Sequence, residues 1–176
     1  MALVPPLGFT DTEVRALLAP IRNDLSIAVC NCQNPFAVGA IIRVAHSFLV
    51  REIIVIGEAP YYAKASMGMQ RYESIVTVAD DDAFFAHTAG RPIWSIEKER
   101  ASVDLYDVEE FPRDVVLVVG SERFGVSSEI LDRSAAIVGI PMYGVNHSFP
   151  VTVAAGMVLG EWGRQRYRRT RASRST

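Results

Sequence analysis

Long apolar runs, paired cysteines and phosphate-binding fingerprints are all missing from this sequence, and each absence removes a class of function. No stretch approaches the ~18 uninterrupted apolar residues that a membrane span requires, so no membrane role is expected. The opening segment, MALVPPLGF, carries no basic cluster and two early prolines. That argues against a secretory signal and leaves the cytoplasm as the default expectation. Only two cysteines occur, Cys30 and Cys32. They lie two apart in a strand-like segment whose alternate side chains point to opposite faces, so a disulfide between them is sterically poor. Neither they nor the three histidines show metal-ligand spacing, and no metal is expected. Neither Gly-Lys-Ser/Thr nor Gly-x-Gly-x-x-Gly is present, which disfavours an unrelated Rossmann-like nucleotide enzyme. Internal repeats and linkers are also lacking.

What is present describes one globular domain. Hydrophobic residues make up 49% of the 176 and charged residues 22%, enough apolar material for a real core. The net charge is −2 but unevenly spread. Six arginines (Arg164, Arg166, Arg168, Arg169, Arg171, Arg174) fall in the last 13 residues with no acid among them, which leaves 12 basic residues against 20 acids before them. The chain therefore divides into a body, residues 1–163, and a basic tail, residues 164–176. A basic end on an acidic body suits a polyanionic partner. Equally, it suits a solvated helix end, where cations complement the dipole.

The pattern of elements predicts an α/β fold with a mostly parallel sheet flanked by helices. A capped helix opens at Thr10-Asp11-Thr12-Glu13 and ends before Pro20. Strand-like residues 25–31, a helix over 38–48 and a short apolar run at 53–56 make a βαβ unit. Weaker signals follow: a strand at 76–78, a helix over 80–88 and a strand at 92–95. Asp80, Asp81 and Asp82 read as a helix's first turn rather than as metal ligands. Residues 115–119 form the clearest core strand. A helix over 127–133, a strand over 136–140 and a long helix over 151–168 complete the chain.

Three stretches place glycines or polar groups where an apolar strand ends or a helix begins, the edge at which α/β folds bind ligands. The first, residues 34–48, holds Arg43 four residues past Gly39 in an otherwise apolar helix. Such a charge must reach solvent or a paired anion, and Glu122 is a natural partner. In the second, Gly120 follows five apolar residues and Ser121-Glu122-Arg123-Phe124-Gly125 turns into a helix. The third, residues 140–162, holds Ile140-Pro141-Met142 and then Asn146-His147-Ser148-Phe149-Pro150 before a helix rich in small residues. Ser148 reads as that helix's N-cap, with Phe149 and Pro150 in the first turn. The small residues Ala154, Ala155 and Gly156 permit close approach of another helix, including one from a second subunit.

In order and content these stretches resemble the three motifs of the SpoU/TrmH family of RNA ribose methyltransferases. Members of that family carry an Asn-x-Gly-x-x-x-Arg-like motif, then Gly-x-Glu-x-x-Gly, then Ile-Pro-Met followed by Ser-Leu-Asn-Val. The counterparts are Gly39 to Arg43, Gly120 to Gly125, and Ile140-Pro141-Met142 with Ser148-Phe149-Pro150-Val151. The resemblance implies a C-terminal deep trefoil knot, the SPOUT fold, in a homodimer that uses S-adenosylmethionine. It implies cofactor binding by Gly120, Ile140 and Phe149, and catalytic roles for Arg43, Glu122 and Ser148. The expected reaction is methyl transfer to a ribose 2′-hydroxyl of RNA, with tRNA favoured over rRNA. Because guanidinium holds its proton to a pKa above ~12, Arg43 is expected to orient and stabilise charge rather than act as a base. Two family asparagines are replaced, by Ala37 and Pro150. They support the alternative expectation of a non-catalytic knotted dimer that binds cofactor or RNA without turnover.

Overall fold

A computed structural model describes residues 8–172 apart from Ala59 and Glu122. A capping box opens α1 (Asp11–Leu18): the Thr10 hydroxyl accepts from the Glu13 amide, and the Glu13 carboxylate accepts from the Thr10 amide at 2.7 Å. β1 (Ser26–Cys30) is buried at every residue, as a central strand covered on both faces must be. α2 (Pro35–Ser47) starts three residues earlier than the periodicity predicts. The Asn34 side chain caps it, accepting from the Phe36 and Ala37 amides at 3.0 and 3.4 Å, and Pro35 fits the first turn. There follow β2 (Ile53–Ile56), β3 (Ile75–Val78), α3 (Asp81–His87) and β4 (Ile93–Ile96). Asp80 caps α3 by accepting from the Ala83 amide, so the aspartate triplet serves the helix start. β5 (Val103–Asp104) has no sequence signature; two residues exist as a strand only because Val103 pairs with Val138. β6 (Val116–Gly120), α4 (Ser128–Asp132), β7 (Ala136–Gly139) and α5 (Val151–Ala172) close the chain.

The strands form one seven-stranded sheet in the order β3-β2-β1-β6-β4-β7-β5, with every neighbouring pair parallel. Successive side chains of the central strands divide between two cores. Ile27, Val29, Leu117 and Val119 face α2 and α5, while Ala28, Cys30, Val116 and Val118 face α3 and α4. Cys30 and Cys32 accordingly sit in opposite cores as free thiols, and burial pushes the Cys30 thiol above its usual range. Among the described residues, no helix is long and apolar enough to cross a membrane.

Chain order leaves β1 in one direction through β2 and β3, then resumes on the other side at β4. β6 is laid into the gap between them. Ligand clefts in open parallel sheets form at the carboxyl ends of strands at such a reversal, because the loops there diverge. Gly120 ends the strand that fills it.

Candidate active site

A cleft of about 400 Å³ opens at the carboxyl ends of β4, β6 and β7. Gly120, Ile140 and the adjacent Ser148 and Phe149, contributed by two separate motifs, all line it. Val119, Ile140 and Val151 give it an apolar floor, and Lys98, Arg100 and Arg123 stand around it with Glu97 and Glu99.

The turn after β6 explains its two glycines. The chain doubles back so that the Gly125 amide donates to the Ser121 carbonyl at 2.8 Å and the Phe124 amide to the Ser121 hydroxyl at 3.2 Å. A Cβ on Gly120 would lie 2.0 Å from the Gly125 carbonyl carbon, so glycine is demanded by the return of its own loop. Gly125 has φ +62°, and a Cβ there would meet the Glu97 carboxylate at 2.7 Å. Glu97 and its charged neighbours were missed by the motif reading. Their signal was modest: a run of four charges, Glu97 to Arg100, directly after an apolar strand.

The third motif differs from expectation at its helix start. α5 begins at Val151, and the Pro150 carbonyl accepts from the Val153 and Ala154 amides, so Ser148 is not the N-cap. Pro150 has no amide hydrogen to offer and sets the helix origin two residues later. Ser148 stays in an exposed loop whose backbone is held by the Asn146 side-chain amide donating to the Ser148 carbonyl at 3.2 Å. Tyr143 and Val145 on this loop are 95% and 100% exposed.

Arg43 does not line the cleft. It lies on the exposed side of α2, and its guanidinium has no partner among the described residues. Glu122, its expected partner, lies outside the described residues. Ala37, where the family has asparagine, is packed in the core, and Asn34 is occupied as a helix cap. Neither restores the missing amide to the site.

The described arginines of the basic end belong to α5 rather than to a separate strand of chain. Arg164 donates to Glu161 at 2.7 Å, Arg169 pairs with Glu110 at 2.6 Å, and Arg166 lies 3.8 Å from Asp24. Gln165 between them is buried, donating to the Val108 carbonyl at 2.7 Å. At 1.5 Å per residue, Arg166 lies about 22 Å along α5 from the cleft-lining Val151. Arg174 lies outside the described residues.

The cleft suits a cationic nucleoside-amino acid cofactor. Apolar side chains of Ile140 and Phe149 can wall an adenine, the Gly120 turn brings main chain to the cleft's surface, and charges of both signs stand ready for an amino acid's ends. No cluster of three metal-ligating side chains occurs among the described residues.

Residues 24–160 match the model of the SpoU rRNA Methylase family. The chain is similar to a tRNA (guanosine(18)-2′-O)-methyltransferase of Thermus thermophilus, 27% identical over 159 residues that span 88% of this chain and 81% of the relative. Among solved structures, the Aquifex aeolicus TrmH/SpoU tRNA modifying enzyme matches with a TM-score of 0.80 at 27% identity, over 91% of this chain and 84% of that one. The SpoU methyltransferase AviRb from Streptomyces viridochromogenes, solved in complex with the cofactor AdoMet, matches with a TM-score of 0.75 at 27% identity. That match covers 85% of this chain and 60% of AviRb.

Proposed function

The chain belongs to the SpoU rRNA Methylase family, and from that premise we propose that it methylates a ribose 2′-hydroxyl of RNA, using S-adenosylmethionine and preferring tRNA. The convergence of Gly120, Ile140 and Phe149 on one cleft at the sheet's reversal carries the reading. The tRNA preference rests on relatives named as tRNA 2′-O-methyltransferases. The deep trefoil knot and cytoplasmic residence are part of the same proposal, and the laying of β6 between two earlier strands supports the knot.

S-adenosylmethionine would supply an electrophilic methyl on a sulfonium. The protein's task is then to hold donor and acceptor in line and to favour the hydroxyl's loss of its proton. Ile140 and Phe149 hold the adenine by apolar contact. Arg43 orients the acceptor ribose and its phosphate, since a guanidinium donates hydrogen bonds and accepts none. Ser148 and Glu122 complete the acceptor side in this proposal.

A homodimer is part of the reading. Val153 is 45% exposed on α5, and a Cβ on Gly156 or Gly160 would meet nothing within 4 Å, so this face is open to close approach by a second helix.

The test is nucleoside mass spectrometry of total tRNA incubated with the protein and S-adenosylmethionine, beside calorimetric titration of the cofactor. A new 2′-O-methyl nucleoside is the expected result. Cofactor binding without product would favour the non-catalytic dimer, the reading that Ala37 and Pro150 support. Absence of cofactor binding would remove the enzyme and leave only a dimer that binds RNA.

A further inference from the structure

We propose that the exposed stripe of α2, with Phe36 at one end and Arg43 at the other, is a stacking platform for an unstacked RNA base beside the acceptor ribose. The inference rests on the RNA-methylating reading and assigns it an acceptor-side contact.

Large apolar side chains are normally withdrawn from water, yet Phe36 is 59% exposed and its neighbour Tyr62 39%, and the loop that carries Tyr62 also exposes Tyr61 and Met67. The Phe36 and Tyr62 rings form a pair, with centroids 4.6 Å apart and planes tilted by 46°. Their setting is rigid. The Tyr62 amide donates to the Pro35 carbonyl at 2.9 Å, and a Cβ on Gly39 would lie 2.6 Å from the Tyr62 carbonyl oxygen. The loop is therefore clamped on the helix, and the platform needs little ordering when a ligand arrives.

The helix period continues the surface. Phe36, Ala40, Arg43 and Ser47 recur at intervals of three and four and share one face, which is the face that residue exposure picks out. Phe36 and Arg43 are two turns apart, about 10.5 Å along the axis. Only small Ala40 stands between them on that face. Neither α2 nor residues 60–72 contain an acid, and Arg43 and Lys64 supply cations there, while Arg71 is paired with Asp11 at 3.7 Å. An aromatic face beside unopposed cations is the surface on which single-stranded nucleic acid binds, because every base has a π-face and every linkage a charge. The Phe36 end of the platform is also at the cleft's edge of the sheet. α2 starts just past the carboxyl end of β1, and Cys30 there is in register with Gly120 at the cleft.

The experiment uses the full chain, saturated with S-adenosylmethionine, and a single-stranded RNA carrying one 2-aminopurine, whose fluorescence falls on stacking. Wild type is expected to quench it. Phe36→Ala should abolish the quench and weaken RNA binding on the order of tenfold, while Phe36→Trp should restore both. Cofactor affinity by calorimetry and mass by sedimentation should not change in either variant. Equal quenching by wild type and Phe36→Ala would overturn the platform and leave the methyltransferase reading intact. A change of oligomeric state in Phe36→Ala, with no quench by wild type, would make a second copy the occupant and also overturn it. Quenching by wild type without any methylated nucleoside would sustain the platform and retire the enzymatic reading instead.

Discussion

The two edges of the sheet treat charge in opposite ways. At the amino edge the carboxylates of Glu73 and Glu52 are both answered. Glu73, with no side-chain exposure, lies 2.7 Å from both Arg22 and His46. Glu52 lies 2.6 Å from Arg91 and 2.8 Å from His87, and Arg91 also donates to the Ser26 hydroxyl at 2.6 Å. Burial pushes both carboxyls upward, but the hydrogen bonds from their partners prevail and hold them below the usual carboxylate range. At the carboxyl edge Arg100 pairs with Asp132 at 2.7 Å, but Glu97, Lys98 and Arg123 border an open cleft beside exposed Phe124 with no ion pair among the described residues. Exposed charges can stay solvated without a partner, whereas a buried carboxylate cannot. One edge is closed to hold the sheet together, and the other is left open for ligands.

Breaking the closed edge should give the largest effect. Arg22→Ala strips Glu73 of its guanidinium and is expected to cost about 3–5 kcal/mol of stability in urea unfolding. Cofactor affinity of the folded fraction should be unchanged, and a matching loss of cofactor affinity would blur the contrast. Arg43→Ala should do the reverse. Stability should stay within about 0.5 kcal/mol, as for an exposed unpaired side chain, while methyl transfer falls on the order of a hundredfold. Near-normal methylation by that variant would remove Arg43 from the mechanism. Gly120→Ala touches both properties, because its Cβ forces the turn off Gly125. A loss of about 1–3 kcal/mol of stability, with cofactor binding abolished in calorimetry, is expected.

Acid should attack the closed edge through Glu52 and Glu73. With folded values lowered, Glu52 and Glu73 contribute stability that is complete above their unfolded pKa, about 4.3. That contribution is lost as pH falls further through the folded values, since the unfolded chain then binds more protons. Melting temperature followed from pH 7 downward should hold until about pH 5 and then drop, and Glu73→Gln should flatten the decline. The smallest effect belongs to α5. Replacing Arg166, Arg168 and Arg169 by glutamine should flatten the salt dependence of RNA binding by less than the ~0.7–0.9 expected per lost phosphate contact. Two of the three are already engaged by Asp24 and Glu110 and must exchange one anion for another. An unchanged slope would remove this end of the helix from RNA binding. Truncation at Gly163 is a poorer test because it also removes the buried Gln165.

Much of the fold was legible where local physics decides it. The capping box at Thr10, the buried run of β1 and the apolar run of β6 each announce their element, because caps and periodicity act over a few residues. β5 was not legible, because nothing in Val103 and Asp104 favours a strand until Val138 lies beside them. The start of α5 at Val151 was legible, but the cap position falls to Pro150, and of the two readings open to Ser148 the capping one is excluded. The pairing of the tail arginines was equally hidden, since Asp24 and Glu110 are remote in sequence.

By itself the sequence determined what each segment is: which runs are strands, which are helices, and which glycines and polar groups sit at their ends. Only the tertiary structure decided which ends meet. Hydrophobic period records a residue's distance from the core but not the identity of its neighbour. The placement of β6 between β1 and β4, and the cleft it creates from Gly120, Ile140, Ser148 and Phe149, arise from long-range pairing that no local pattern contains.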